Sequence, residues 1–278
     1  RWPPQLARLG DWLGVRPGQL AALALAPLLA ATTTTISAGN STISPAPVLA
    51  NTLWLAALAA VVFGGWRAEA AAPRARWLVV LWVATLTAAA LGLRAVAVGQ
   101  IPVTLTGDEG SAGLDGVRFV QGQLNNLFAG AWHGFPTFYF AVQSIGVAFL
   151  GNTLEAIRWP SALAGALTVG GLYLLGRSMF GHRTGLFAAL LLLGAHLHQH
   201  FSRIALNNVW DGLAYVLTLG ALWVAWTRER RNAYLLAGLA LGLSMYFYPS
   251  ARSLAAVVPA WLAVAGWLDR PRLKRALP

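Results

Sequence analysis

Long apolar stretches separated by short polar segments dominate the pattern of this chain. Eight of these stretches can be interpreted as membrane-spanning helices, at 20–37, 48–65, 77–98, 160–176, 185–201, 209–226, 233–249 and 252–268. A helix that crosses the hydrocarbon core of a bilayer, which is about 30 Å thick, needs about 20 predominantly apolar residues. The pattern therefore predicts an all-α fold, a polytopic transmembrane bundle of about eight spans.

The composition agrees with a membrane environment. Hydrophobic residues make up 57% of the 278 residues and charged residues only 10%, whereas a soluble domain carries about 25% charged residues. The sequence contains no Cys, which excludes a disulfide scaffold and a thiolate metal site. We therefore expect an integral membrane protein.

The positive charges are distributed unevenly along the chain. The formal net charge is +11, and most Lys and Arg residues fall on one side of the predicted bundle, in segments 1–19, 66–76, 177–184, 227–232 and 269–278. Because cytoplasmic loops carry the excess of Lys and Arg, this pattern predicts a cytoplasmic N-terminus. The cations lie in loops between spans, so the charge does not indicate a nucleic-acid partner.

The longest connection, residues 99–159, is predicted to lie on the outer side. Its stretch 135–150 is apolar, rich in aromatic residues and opens at Pro136. Counting this stretch as a span would invert every later loop and place Arg228 and Arg230 outside. We therefore expect amphipathic and interfacial helices in this loop rather than another crossing.

An adjacent acidic pair, Asp108 and Glu109, follows the third predicted span. One interpretation is a solvated turn or a cap for the next helix. The other is that one carboxylate acts as a general base or a cation ligand at the membrane face, because acids close to lipid are costly and are often functional.

Two more polar clusters are predicted on the same face. They contribute candidate site residues of several types: His200, Arg203, Asn208, Asp211, Tyr248 and Arg252. The two guanidinium groups suit a phosphate, whereas Tyr248 has the alternative interpretation of an interface anchor. His196 and His200 have a spacing that can hold a metal, but no carboxylate neighbours them in sequence, which favours cavity-lining histidines.

Several segments together resemble a known family. The segments that match are TGDEGSAGLDGVRFVQGQ, FPTFYFAVQSIGVAFLG, RWPSALAG, LYLLGRSMFGHRTGLFAALLL and HFSRIALNN. In this order and spacing, residues 77–268 resemble the N-terminal membrane half of the family 39 glycosyltransferases of GT-C fold, which include protein mannosyltransferases and a lipid A aminoarabinose transferase. The preceding part, 1–76, is expected to hold two extra transmembrane helices, and 77–278 to form the GT-C-like core.

The resemblance implies an enzyme of the outer membrane face, in a bacterial inner membrane. It implies transfer of a sugar from a polyprenyl-phosphate donor to an acceptor hydroxyl with inversion. Asp108 would be the general base and Glu109 a supporting acid. Arg203 and Arg252 would bind the donor phosphate, and His200 and Tyr248 would line the site. No cofactor and no metal is required, because phosphate is already a good leaving group; the partners are the lipid donor and membrane lipids.

One departure from the family pattern supports a second hypothesis. Where many relatives carry a further acid, this chain has Asn208, with Asp211 three residues later. Asp211 could replace that acid, or Asn208 could hydrogen-bond a substrate. The alternative function is a non-catalytic membrane subunit of a larger complex. An enzyme should present Asp108 beside a cavity wide enough for a sugar, whereas a scaffold subunit could have that cavity filled by side chains.

Overall fold

The computed structural model describes residue 3 and residues 16–37, 46–65, 76–127 and 130–276. Within these ranges every element is a helix, apart from one isolated bridge between Gly130 and Pro136. The all-α prediction is confirmed. Most of the predicted basic segments 1–19 and 66–76 lies outside the described residues, and the division of the chain at residue 76 stays a prediction.

Twelve α-helices are found in the described residues. In chain order they are α1 (Pro17–Ser37), α2 (Pro47–Gly65), α3 (Arg76–Ala95), α4 (Gly107–Val120), α5 (Thr137–Leu150), α6 (Leu154–Phe180), α7 (His182–Gly194), α8 (His196–Phe201), α9 (Asn208–Arg228), α10 (Arg231–Ser244), α11 (Leu254–Leu268) and α12 (Arg270–Ala276). Two short 3₁₀ helices lie at Trp132–Gly134 and Pro249–Ser253.

The predicted number of eight spans is not confirmed. Among the described residues, four helices are long and apolar enough to cross a membrane: Arg76–Ala95, Leu154–Phe180, Asn208–Arg228 and Pro249–Leu268. The other apolar helical stretches are shorter, including His182–Gly194 and Asn232–Ser244. At 1.5 Å per residue, the 13 residues of α7 extend about 20 Å, which is less than the thickness of the hydrocarbon core.

Two of the predicted spans are shorter because the backbone leaves the helix at a polar segment. The window 185–201 is interrupted at Ala195, which has an extended conformation, and the chain restarts as the six-residue helix α8. The window 233–249 ends early, because α10 stops at Ser244. Hydropathy averaged over a whole window does not detect either break, because the apolar residues of each window outweigh its polar ones.

The end of α3 and the start of α6 lie on the same face of the bundle. Arg158 donates hydrogen bonds of 2.9 Å to the carbonyl oxygens of Val98 and Pro102. The loop between these helices therefore returns to the face from which it departs, and α5, about 21 Å long, does not carry the chain across. We call this face the polar face; it comprises residues 94–108, 154–158, 195–211 and 245–253.

The core of the bundle packs α3, α6 and α7 together through small and apolar residues. Leu86, Val169 and Tyr173 are buried in this core. Helices α6 and α7 approach closely at a glycine pair, where a Cβ on Gly185 would lie 2.5 Å from the backbone of Tyr173. Close backbone contact at small residues is typical of helix packing in membranes, and here it supports the helices that present the polar face.

Candidate functional site

Asp108 lies exposed in the first turn of α4. The helix begins there because the Thr106 hydroxyl accepts a hydrogen bond from the backbone N–H of Glu109, at 3.2 Å. Acidic residues in the first turn are also favoured by the partial positive charge of a helix N-terminus. Within the described residues, the Asp108 side chain has no hydrogen-bond or ion-pair partner, so its carboxylate remains available to a substrate.

Glu109 forms a buried ion pair with Arg158. Both side chains are fully buried, and the carboxylate accepts from Nε at 2.6 Å and from Nη2 at 2.9 Å. Glu109 also accepts a hydrogen bond of 2.9 Å from the backbone N–H of Ala205. The two parallel hydrogen bonds between guanidinium and carboxylate fix the distance and the relative orientation of the two side chains. Together with the bond from Ala205, they connect the start of α4, the start of α6 and the segment before α9.

Residues 205–211 connect that ion pair to the loop that follows α10. Asn207 donates to the carbonyl of Phe247 at 3.2 Å. Asp211, 5% exposed, accepts hydrogen bonds from the Ser250 hydroxyl and from the backbone N–H of Ala251. The structure therefore places all three polar clusters on one face, and it gives Asp211 a role in holding the 3₁₀ helix Pro249–Ser253.

Arg203 binds the carbonyl end of α3. Its guanidinium donates to the backbone oxygens of five residues: Leu93, Arg94, Val96, Ala97 and Ile101. The last carbonyls of a helix have no partner within the helix, and a cation at this end is favourable. These bonds explain why α3 ends here, and they engage all three nitrogens that we expected to bind a phosphate.

An open cavity of about 650 Å³ lies beside Arg203. Its walls come from α1, the end of α3, the loop after α3, and α8, including Thr33, Pro102, His196, His200 and Arg203. The exposed rings of His196 and His200 are stacked, with centroids 6.4 Å apart. No group of three or more side chains that could hold a metal ion is found in the part of the chain that the structure describes.

A second arginine lies buried behind this cavity. Arg94 is fully buried, and its Nη2 lies 2.9 Å from Nδ1 of His198. Since a guanidinium can only donate, the imidazole nitrogen accepts. Burial, together with the charge of Arg94, lowers the pKa of His198 to about 4, so the ring is neutral near pH 7. The described residues include no carboxylate paired with Arg94, so no ion pair neutralises its charge next to His198.

The other three residues that the sequence predicts for the site, Tyr248, Asn208 and Arg252, also lie on the polar face. Tyr248 is half-buried and its ring stacks on Phe135 at 6.1 Å. Asn208 is the first residue of α9 and is half-buried. Arg252 is exposed and, within the described residues, forms no ion pair. Of the two arginines expected at a phosphate, Arg252 is therefore the one whose guanidinium is available.

Sequence reasoning did not identify Arg158, Arg94 or His198 as parts of the site. The signal available for Arg158 is its position in the RWPSALAG segment, at the start of a long apolar helix. Arg94 lies inside an apolar stretch, where charges are rare and usually paired or functional. Their partners are 49 and 104 residues away in sequence, so only the fold could reveal them.

The second half of the chain matches a known protein family. The family model of dolichyl-phosphate-mannose-protein mannosyltransferase matches residues 135–278, just over half of the chain. The match does not reach Asp108 and Glu109. Searches of the curated proteins and of the solved structures found no significant match. Four helices among the described residues are able to cross a membrane. Together with the family match, they identify the chain as a membrane glycosyltransferase that belongs to the dolichyl-phosphate-mannose-protein mannosyltransferase family.

Proposed function

We propose that this protein transfers a sugar from a polyprenyl-phosphate donor to an acceptor hydroxyl, with Asp108 as the general base. The observation that carries this proposal is the position of Asp108, an exposed carboxylate on a helix start that the buried Glu109–Arg158 pair holds in place. Because the family match begins at residue 135, the role of Asp108 is supported by geometry and by the resemblance of its segment.

Three of the other carboxylates on or beside the polar face are engaged with protein groups, and the fourth, Glu155, is exposed and packs against Gly99. Glu109 binds Arg158, and Asp211 binds Ser250 and Ala251. Asp115, farther along α4, accepts from Arg118 and from the backbone N–H of Trp132. A general base needs a free lone pair within reach of the proton that it removes. One oxygen of Asp211 has no partner but is buried, whereas Asp108 is exposed, which favours Asp108 over these three acids.

The proposed reaction is a single displacement. The acceptor hydroxyl gives its proton to the Asp108 carboxylate, and its oxygen forms a bond to the anomeric carbon. The bond from that carbon to the phosphate oxygen breaks, and polyprenyl phosphate leaves with the electron pair. One displacement inverts the anomeric configuration. Positive groups near the departing phosphate stabilise the developing charge, so the reaction requires neither a metal nor another cofactor.

The unfilled cavity beside Arg203 supports an enzyme rather than a non-catalytic subunit, although Asp108 is not among the residues that line it. Its volume, about 650 Å³, lies within the usual range for small-molecule sites, and side chains do not fill it. Its apolar lining comes mainly from the end of α3 and the loop after it, and its polar lining from α8 and Arg203, a combination that suits the lipid chain of the donor. Residues 196–203 contribute positive and imidazole groups to the polar wall.

Replacing Arg252 with alanine is expected to weaken the binding of polyprenyl monophosphate by about 10-fold, because one charge-assisted hydrogen bond is lost. The dissociation constant can be measured by titrating the lipid into purified protein in detergent. Arg228→Ala is the matched control, since Arg228 is also exposed but lies at the other end of α9. Equal affinities for Arg252→Ala and the unmodified protein would remove Arg252 from the phosphate site.

We further propose that the polar face is exoplasmic and that the N-terminus is cytoplasmic, in a bacterial inner membrane. Because the sequence contains no Cys, single cysteines can be introduced at the exposed positions Gln121 and Thr227, near opposite ends of the bundle. A membrane-impermeant maleimide is expected to label Gln121→Cys in intact cells, and Thr227→Cys only after permeabilisation. The reverse pattern would contradict this orientation.

A further inference from the structure

Aromatic side chains gather on the side of α4 that faces α5 and the start of α9. The cluster includes Phe135, Tyr139, Phe140, Trp210 and Phe247. The loop before α5 is held against it, because Asp115 accepts a hydrogen bond of 3.1 Å from the backbone N–H of Trp132. We call this group the aromatic cluster. Through α4 it is connected to the turn that bears Asp108.

Two polar atoms in the aromatic cluster are buried without a hydrogen-bond partner among the described residues: the hydroxyl of Tyr139 and Nε1 of Trp210. Tyr139 is only 1% exposed. A buried polar group that lacks a partner costs about 1–3 kcal/mol, and such groups are rare in native structures. Two in one cluster indicate that a ligand or water satisfies them.

Both side chains contact the same ring. Phe247 stacks on Trp210 with centroids 4.8 Å apart and an interplanar angle of 13°, and it meets Tyr139 at 6.3 Å. The backbone of Phe247 is held by Asn207, whereas the ring interactions of its side chain are with other aromatic rings. A flat ligand that displaces this ring would stack on Trp210 and reach both polar atoms.

The chemistry of the cluster selects a neutral ligand with oxygen acceptors. The indole N–H can only donate. Burial and the nearby Glu109 carboxylate raise the pKa of Tyr139 well above its usual range, so its hydroxyl stays protonated and donates. A phosphate would be costly to desolvate in these aromatic surroundings, because the guanidinium of Arg158 is already committed to Glu109.

We propose that the aromatic cluster binds the sugar of the lipid-linked donor, with the Tyr139 hydroxyl and the Trp210 N–H donating hydrogen bonds to its oxygens. A sugar combines hydroxyl and ring oxygens with apolar C–H faces that pack on aromatic rings. Ala112, one turn of α4 after Asp108, packs in the same cluster as Tyr139. The inference rests on the proposed function and adds the position of the transferred sugar.

The test compares two lipids, polyprenyl-phosphate mannose and polyprenyl monophosphate without sugar. Tyr139→Phe and Trp210→Phe each remove one donor and keep an aromatic ring. Each is expected to weaken binding of the sugar-bearing lipid about 3- to 10-fold and to leave binding of the bare lipid unchanged. Tyr139→Phe should also keep or raise the melting temperature, since it removes an unpartnered buried hydroxyl.

Tyr173→Phe is the matched control. Tyr173 is also fully buried, but its hydroxyl is bonded to Nδ1 of His182, 2.9 Å away, near the opposite end of α6. This variant should lower the melting temperature and leave both dissociation constants unchanged. If the full-length protein binds both lipids and Tyr139→Phe changes neither, or weakens both equally, the sugar assignment is wrong. If the unmodified protein binds neither lipid, the proposed function fails and this inference fails with it.

Discussion

Replacing Asp108 with asparagine is expected to lower the rate of sugar transfer by about 100- to 10,000-fold, the usual contribution of a general base. Asparagine has nearly the same shape as aspartate but cannot take the proton of the acceptor hydroxyl. The measurement is transfer of radiolabelled mannose from polyprenyl-phosphate mannose to acceptors in a membrane extract, by purified protein. Because Asp108 is exposed and has no partner among the described residues, the variant should keep its affinity for the donor, and loss of the favourable charge at the helix start should cost no more than about 1 kcal/mol of stability.

Glu155→Gln provides the matched control for this experiment. Glu155 lies in the first turn of α6 and is also exposed, and its side chain packs against Gly99 on the polar face. The substitution removes the same charge from the same face. Transfer at a normal rate by Asp108→Asn would exclude Asp108 as the base. An equal loss in both variants would indicate a general effect of charge on the polar face.

The second large effect is expected when the buried Glu109–Arg158 pair is broken. Both side chains are fully buried, so Arg158→Met leaves the Glu109 carboxylate enclosed without its cation. Removing one partner of a buried ion pair costs about 3–5 kcal/mol. The rate of sugar transfer should fall as well, because the Glu109–Arg158 pair positions the first turn of α4, which carries Asp108. Thermal unfolding and the transfer assay measure the two effects.

A double-mutant cycle separates the pair from the rest of the fold. Arg158→Met combined with Glu109→Gln removes the uncompensated charge, so the double variant should unfold at a higher temperature than Arg158→Met alone. Recovery should be incomplete, because Arg158 also binds the carbonyls of Val98 and Pro102.

Arg118→Met is the control for the loss of an arginine. In its ion pair with Asp115 the Arg118 side chain is 56% exposed, and exposed pairs contribute about 1 kcal/mol or less. A similar loss in both arginine variants would contradict the structural role assigned to Arg158.

If these results are obtained, Glu109 supports catalysis by position and not by proton transfer. The expectation of a supporting acid arose from its place next to Asp108. In the structure the two neighbours differ completely in environment, since Asp108 is exposed and Glu109 is fully buried. Successive residues of a helix point about 100° apart, so one can hold the helix in place while the other faces the substrate.

The arginines illustrate the same separation of roles. Arg203 and Arg252 were indistinguishable in sequence, as two cations at polar ends of apolar stretches. The fold brings Arg203 to the carbonyl end of α3 and leaves Arg252 exposed. Which carbonyls lack a partner depends on where α3 ends, and that boundary is a property of the assembled bundle.

The sequence by itself determined the class of the protein and the gathering of its polar residues on one face. Apolar stretches must be buried in lipid or in the bundle, and polar residues between them must reach water or partners, so both follow from composition and order along the chain. The tertiary structure decided where α7 breaks at Ala195, which carboxylate stays free, and which buried atoms lack partners. These features depend on contacts between residues about 40 to 110 positions apart, which no local pattern can specify.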